Sequence, residues 1–95
     1  MPAYVLAHVD VRDPVRYEDY KKMVPASIQK FGGRFIARGG NVEVLEGSWH
    51  PKRLVLVEFP SLDAARQWYA SEDYAAAKAL RQATSTGDLV VIDGV

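Results

Sequence analysis

The sequence predicts an α+β fold, one antiparallel sheet with its helices on a single face. Three observations carry that prediction. Strand-like apolar runs at 3–11, 34–38, 41–46, 53–59 and 89–92 are separated by two stretches with apolar residues at helical spacing. The order strand, helix, strand pair, helix, strand divides into two strand–helix–strand halves of similar length, the layout of a ferredoxin-like split βαβ sandwich. Each half also carries the triplet Glu-Asp-Tyr in its helix, at residues 18–20 and 72–74, although three matching residues prove no duplication.

In the first run, Tyr4-Val5-Leu6-Ala7-His8-Val9 is apolar on both alternating faces. Asp13-Pro14 ends it and opens a helix, the aspartate as cap and the proline at the first position, where a missing N–H goes unnoticed. Tyr17, Tyr20, Val24, Ile28 and Phe31 form one stripe. Pro25 should kink that helix or break it in two, and Gly32-Gly33 should end it. Arg34 to Arg38 makes the second strand, with Arg34 and Arg38 on one face, about 13 Å apart at ~3.3 Å per residue. Gly39-Gly40 reads as a bulge or bend, after which the strand resumes over 41–46. A turn at 47–52 then returns the chain antiparallel over 53–59, with Glu46 facing Arg53, Val44 facing Val55 and Val42 facing Val57.

Ser61 caps the second helix, with Leu62, Ala65 and Trp68 or Tyr69 on its stripe. Ser71, followed by Glu72-Asp73, reads as a second cap where the helix breaks and restarts, and Tyr74, Ala77, Leu80 and Arg81 line the inner face of the new segment. Residues 84–87 read as loop. Leu89-Val90-Val91-Ile92 is continuously apolar, the signature of a strand buried on both sides. Two helical segments on one face leave the other uncovered, and an open apolar sheet face of that size is an association site. A face-to-face homodimer is the simplest remedy.

Composition narrows the partners. Ninety-five residues make one small domain, 1–95, burying about 65% of its unfolded surface. Twelve basic residues balance twelve acidic ones, so no net field favours nucleic acid or an anionic membrane. Zero cysteines exclude a disulfide framework, a thiolate metal site and a cysteine nucleophile. No signal-peptide core and no apolar run of about 20 residues occur, so a cytoplasmic protein is the default expectation.

The chemistry is sparse. The glycine pairs match neither G-x-G-x-x-G nor G-x-x-x-x-G-K, and the two histidines lack metal-ligand spacing, so neither a metal nor a cofactor is expected. No serine sits in a nucleophile-elbow context. His8, mid-strand, is able to act as acid or base, with a hydrogen-bonded structural histidine as the plainer reading. Glu58 lies between Val57 and Phe59 in a strand that ought to be central, and a buried carboxylate must be paired, hydrogen-bonded or raised in pKa. Arg34 or Arg38 is its natural partner; alternatively the guanidinium groups grip a carboxylate ligand. Tyrosine hydroxyls facing a sheet need partners, and a ligand is one source of them.

Gly32-Gly33-Arg34-Phe35-Ile36-Ala37-Arg38-Gly39-Gly40, Glu46-Gly47, Arg53-Leu54-Val55-Leu56-Val57-Glu58-Phe59-Pro60-Ser61 and Trp68-Tyr69-Ala70-Ser71-Glu72-Asp73-Tyr74 closely resemble the DUF1330 family, a domain of unknown function. The likeness continues through Asp13-Pro14, Tyr17, Tyr20, Arg81 and Asp93-Gly94 and covers nearly the whole chain. It implies a dimeric α+β barrel, a superfamily that holds cofactor-free monooxygenases, small isomerases, haem-handling enzymes and proteins with no known activity. No catalytic residue carries over from an uncharacterised family. The helical histidine that ligates haem in some of those relatives has no counterpart, since neither His8 nor His50 falls in a helix. Two functions follow as expectations. One is a small-molecule enzyme or binder with Glu58 and Arg38 as its polar centre and His8, Tyr20, Trp68 and Tyr74 around them. The other is a non-catalytic homodimer whose polar residues satisfy each other.

Overall fold

The computed structural model describes residues 1–95. Its elements are β1 (Ala3–Val11), α1 (Pro14–Lys30), β2 (Arg34–Arg38), β3 (Arg53–Phe59), α2 (Leu62–Ala70), α3 (Glu72–Thr84) and β4 (Ser85–Asp93). The strands form one antiparallel sheet in the order β2-β3-β1-β4. This is a ferredoxin-like α+β fold, with β1 and β3 at the centre.

Short polar signals set the helix ends. Asp13 Oδ1 accepts from the Arg16 amide at 3.2 Å with Pro14 in the first turn, Ser61 Oγ from the Ala64 amide at 3.0 Å, and Ser71 Oγ from the Tyr74 amide at 3.1 Å. Ser71 thus divides α2 from α3, as its position before Glu72-Asp73 suggests. At the end of α1 the Gly32 amide donates to the Gln29 carbonyl at 3.0 Å and the Gly33 amide to the Ile28 carbonyl at 2.9 Å, a Schellman closure that needs the positive φ of 78° at Gly32. Gly33 is buried, and a Cβ there would stand 2.7 Å from the Phe59 ring and 2.8 Å from the Ile28 side chain. The second glycine is what lets α1 close down on β3.

Directly paired residues share a sheet face, so the register sorts the side chains. One face carries Phe35, Val57, Val5 and Val91 in one row and Arg38, Val55, Ala7 and Leu89 in the next. All three helices pack there: Val24 and Ile28 of α1, Ala65 and Trp68 of α2, and Tyr74 and Ala77 of α3 join Val5, Val57 and Phe59 in one buried cluster. The opposite face carries the rows Arg34-Glu58-Tyr4-Ile92, Leu56-Leu6-Val90 and Leu54-His8-Asp88. No helix covers it, and Val90 and Ile92 are 56% and 63% exposed.

Of the two outcomes expected at Pro25, the break does not occur, since α1 runs from Pro14 to Lys30 as one helix. Three expectations need correction. Residues 84–87 are not a loop, because α3 ends at Thr84 and β4 begins at Ser85. β4 is not buried on both sides, because it is an edge strand paired with β1 alone. The hairpin of 41–46 with 53–59 does not form: β3 pairs with β2, Arg34 opposite Glu58 and Phe35 opposite Val57, and 41–46 contains no strand. The last ladder bond runs from the Gly39 amide to the Leu54 carbonyl at 2.9 Å, and Gly39, at φ 69°, then turns the chain away. Val42, Val44, Leu45 and Trp49 are left exposed on the resulting arm. No helix is long and apolar enough to cross a membrane.

Candidate functional site

A candidate site lies between the sheet and the helices. The covered face brings Arg38 from β2, Arg53 from the start of β3, Tyr17 and Tyr20 from α1, and Tyr74 and Arg81 from α3 around one small cavity. Its closed interior is about 30 Å³, room for one or two water molecules. Lys21 also reaches it, and the remaining walls are aliphatic or aromatic, with Trp68, Phe35 and Val55 among them.

Arg38 arrives through two local irregularities. A β-bulge between Phe35 and Ala37 shifts the strand's phase, so Arg34 and Arg38 point to opposite faces although four residues apart. Pro25 supplies the second. It has no N–H, so the Lys21 carbonyl one turn earlier has no helical partner. Arg38 Nη2 donates to that oxygen at 2.6 Å, and its guanidinium lies 4.3 Å from the centre of the Phe35 ring. Arg53 lies over Tyr17 at 5.6 Å, and its Nε is buried with no partner. Glycine at 39 is favoured by its φ of 69°, and a Cβ there would displace the end of the Arg53 side chain.

Arg81 Nε donates to the Tyr74 hydroxyl at 3.2 Å, and the Tyr74 and Tyr20 hydroxyls are 3.3 Å apart. The two phenols share one hydrogen bond but own two hydrogens. Whichever of them donates, one phenolic hydrogen remains without a protein acceptor. Burial, reinforced by the neighbouring Tyr74 phenol, pushes the Tyr20 pKa far above the ordinary phenol value, so Tyr20 stays a protonated donor. Burial is the largest influence on Arg81 and lowers its pKa, but Tyr74 and Tyr20 together outweigh it and leave the guanidinium above its usual value.

Chemically the cavity offers hydrogen-bond donors and positive charge. Its lining includes no His, Asp, Glu, Ser or Cys, so it holds no nucleophile-and-base pair of its own. An electron-rich oxygen on a small molecule is what this donor set can hold. Trp68 belongs to the wall: its Nε1 donates to Ser27 Oγ at 3.1 Å and its ring stacks on Tyr74 at 4.1 Å.

Glu58 and His8 are not in this cavity. Both lie on the uncovered face, so the expected polar centre of Glu58 with Arg38 does not exist. The reason is the bulge, which leaves Arg34, not Arg38, beside Glu58 at 3.0 Å. His8 stacks edge-on against Trp49 at 5.5 Å, accepts from the Lys52 amide at 3.3 Å and stands 4.0 Å from Asp88. Of the expected set, the cavity brings together Arg38, Tyr20, Trp68 and Tyr74, and it adds Arg53 and Tyr17, which sequence reasoning did not place there. Arg81 is legible as inward-facing, though not as part of a site. No cluster of His, Cys, Asp and Glu side chains is placed to hold a metal ion.

The Arg34 hydrogen bond is the main reason the Glu58 carboxyl is held below its ordinary value; burial pulls the other way, and the Tyr4 hydroxyl adds to the lowering. A depressed carboxyl contributes stability above its unfolded pKa and loses it as pH falls through the folded one. Urea midpoints of the parent and of Glu58→Gln should therefore differ most above pH 4.5 and converge below it. A difference constant from pH 7 to pH 3 would refute this assignment.

The family model described as Domain of unknown function (DUF1330) matches residues 2–95. The chain belongs to that family. The sequence matches none of the curated proteins. Among solved structures, a protein of unknown function from Rhodopseudomonas palustris aligns at TM-score 0.80 and 20% identity, covering 99% of this chain and 82% of that one. SnoaB, a cofactor-independent oxygenase from Streptomyces nogalater, aligns at TM-score 0.67 and 14% identity over 99% of this chain and 93% of its own. A dimeric protein of unknown function and ferredoxin-like fold from Bacteroides fragilis aligns at TM-score 0.61 and 16% identity, covering 98% and 95%. At these identities the likeness is one of fold.

Proposed function

We propose that this DUF1330 protein is a homodimer that binds a small organic molecule in the cavity between sheet and helices. The observation that carries the reading is the unspent phenolic hydrogen of the Tyr20–Tyr74 pair, two hydroxyls that line a mostly apolar cavity together with Arg38, Arg53 and Arg81. Buried polar groups are ordinarily satisfied, and a few convergent donors in an apolar cavity are the usual makeup of a ligand site. The dimer is supported by the uncovered sheet face and by the dimeric Bacteroides fragilis relative. A cofactor-independent oxygenase built on this fold is consistent with small-molecule chemistry in such a place. One observation favours the other reading, a dimer with no ligand: the closed interior is only about 30 Å³.

A thermal-shift screen of small organic compounds decides between them. It should yield compounds that bind the parent and Glu58→Gln equally, since Glu58 lies on the other face. Tyr20→Phe and Tyr74→Phe should each weaken them about fivefold to tenfold, the worth of one hydrogen bond. A screen that yields nothing, or compounds indifferent to both tyrosine variants, refutes the ligand reading.

A further inference from the structure

Outside the closed cavity, α1 and the facing ends of β2 and β3 enclose an open hollow of about 520 Å³, lined by Glu18, Lys21, Lys22, Arg38, Gly39 and Arg53. Lys21, Arg38 and Arg53 line both spaces, so the hollow is the mouth of the cavity. The chain as a whole is neutral, with twelve basic and twelve acidic residues, yet four cations meet one carboxylate here. That carboxylate, Glu18, is already paired with Lys21 at 3.0 Å. Arg38 spends one nitrogen on a carbonyl and its face on Phe35, Arg53 lies over Tyr17, and neither has a carboxylate partner. The buried Arg53 Nε has no partner of any kind. Behind these groups the walls are aromatic and aliphatic.

We infer, resting on the reading of this cavity as the ligand site, that its ligand is a small organic carboxylic acid bound as the anion. Its carboxylate sits at the mouth between Arg38 and Arg53, where guanidinium groups offer paired donors in the plane a carboxylate needs. The hollow has room for the whole molecule but a wholly polar lining, so the apolar body points inward to where Tyr17, Phe35 and Val55 of the adjoining cavity begin. An oxygen on the inward end would meet the spare phenolic hydrogen. A bare inorganic anion satisfies the charge but none of the walls.

Three probes test this on the unaltered protein by calorimetry: benzoate, its neutral isostere benzamide, and inorganic phosphate. Benzoate should bind at least tenfold more tightly than either of the others and weaken as salt rises from 50 to 500 mM, on the order expected for a partly exposed ion pair. Arg53→Gln should reduce benzoate to the level of benzamide, while Arg16→Gln, an equal loss of charge elsewhere on α1, should change nothing. Benzamide binding as well as benzoate would overturn the anion inference and leave the cavity standing as a site. Phosphate binding as well as benzoate would overturn the organic part of it. No binding of any probe would overturn the inference, whereas compounds of other classes, found by the screen and sensitive to Tyr20→Phe, would spare the site itself. Should Arg53→Gln fail to fold, the benzoate-to-benzamide ratio on the parent still decides.

Discussion

Trp68→Ala should lower stability by about 3–5 kcal/mol, the usual cost of deleting a buried tryptophan, against a total on the order of 5–15 kcal/mol for a small domain. Trp68 is 3% exposed, stacks on Tyr74, contacts Phe59 at a ring separation of 5.3 Å and donates its one N–H to Ser27. The substitution leaves a cavity at the junction of α1, α2 and β3 and strips Tyr74 of the wall that positions its hydroxyl. The neighbouring Tyr69, 40% exposed, is the control, and Tyr69→Ala should cost well under half as much. Urea unfolding followed by circular dichroism measures both. Equal losses at the two positions would show that the aromatic cluster around Trp68 is not the core.

Leu56→Lys should convert the protein from dimer to monomer. Leu56 sits in the middle row of the uncovered face, beside Leu6 and one strand from Val90, with polar rows to either side. In the proposed face-to-face dimer each copy would bury a lysine beside Leu6 and Val90, a desolvation cost of several kcal/mol, and the carboxylate in the next row along β3, Glu58, is already paired with Arg34. Since 1.4 kcal/mol is a factor of ten, the dimer dissociation constant should rise by roughly a hundredfold or more. The fold of each chain should survive, because Leu56 makes no contribution to the helix-covered core. Light scattering at micromolar concentration should give twice the 10.6 kDa chain mass for the parent and the single mass for the variant. A parent that is monomeric, or a variant that remains dimeric, contradicts the arrangement.

Where a residue acts locally, the sequence is a good guide. Asp13-Pro14, Ser61, Ser71 and Gly32-Gly33 each fix a helix end within one turn, and their consequences follow from backbone hydrogen bonding alone. The sheet is harder. Val42 and Val44 alternate with polar residues as a strand would, but alternation does not name a partner, and β3 takes Arg34 and Phe35 instead. The candidate site suffers from the same limit. Counting by twos puts Arg34 and Arg38 together with Glu58 between them; one inserted residue at the bulge sends Arg38 through to the helix side. Arg53 is hidden for a related reason, since the expected hairpin paired it with Glu46. One signal for Arg38 was present: Pro25 orphans the Lys21 carbonyl, and an orphaned carbonyl inside a protein requires a donor.

The central claim is that the space between sheet and helices is where a small molecule binds, and the five tyrosines make it testable residue by residue. With ring-labelled tyrosine, NMR resonances can be followed through a titration with the tightest-binding compound of the thermal-shift screen. Tyr20, Tyr74 and Tyr17 line the cavity, whereas Tyr4 sits on the opposite sheet face beside Glu58. Saturable shifts at Tyr17, Tyr20 and Tyr74 with Tyr4 unmoved are the predicted result. Shifts confined to Tyr4, or a titration that moves no tyrosine, would contradict it.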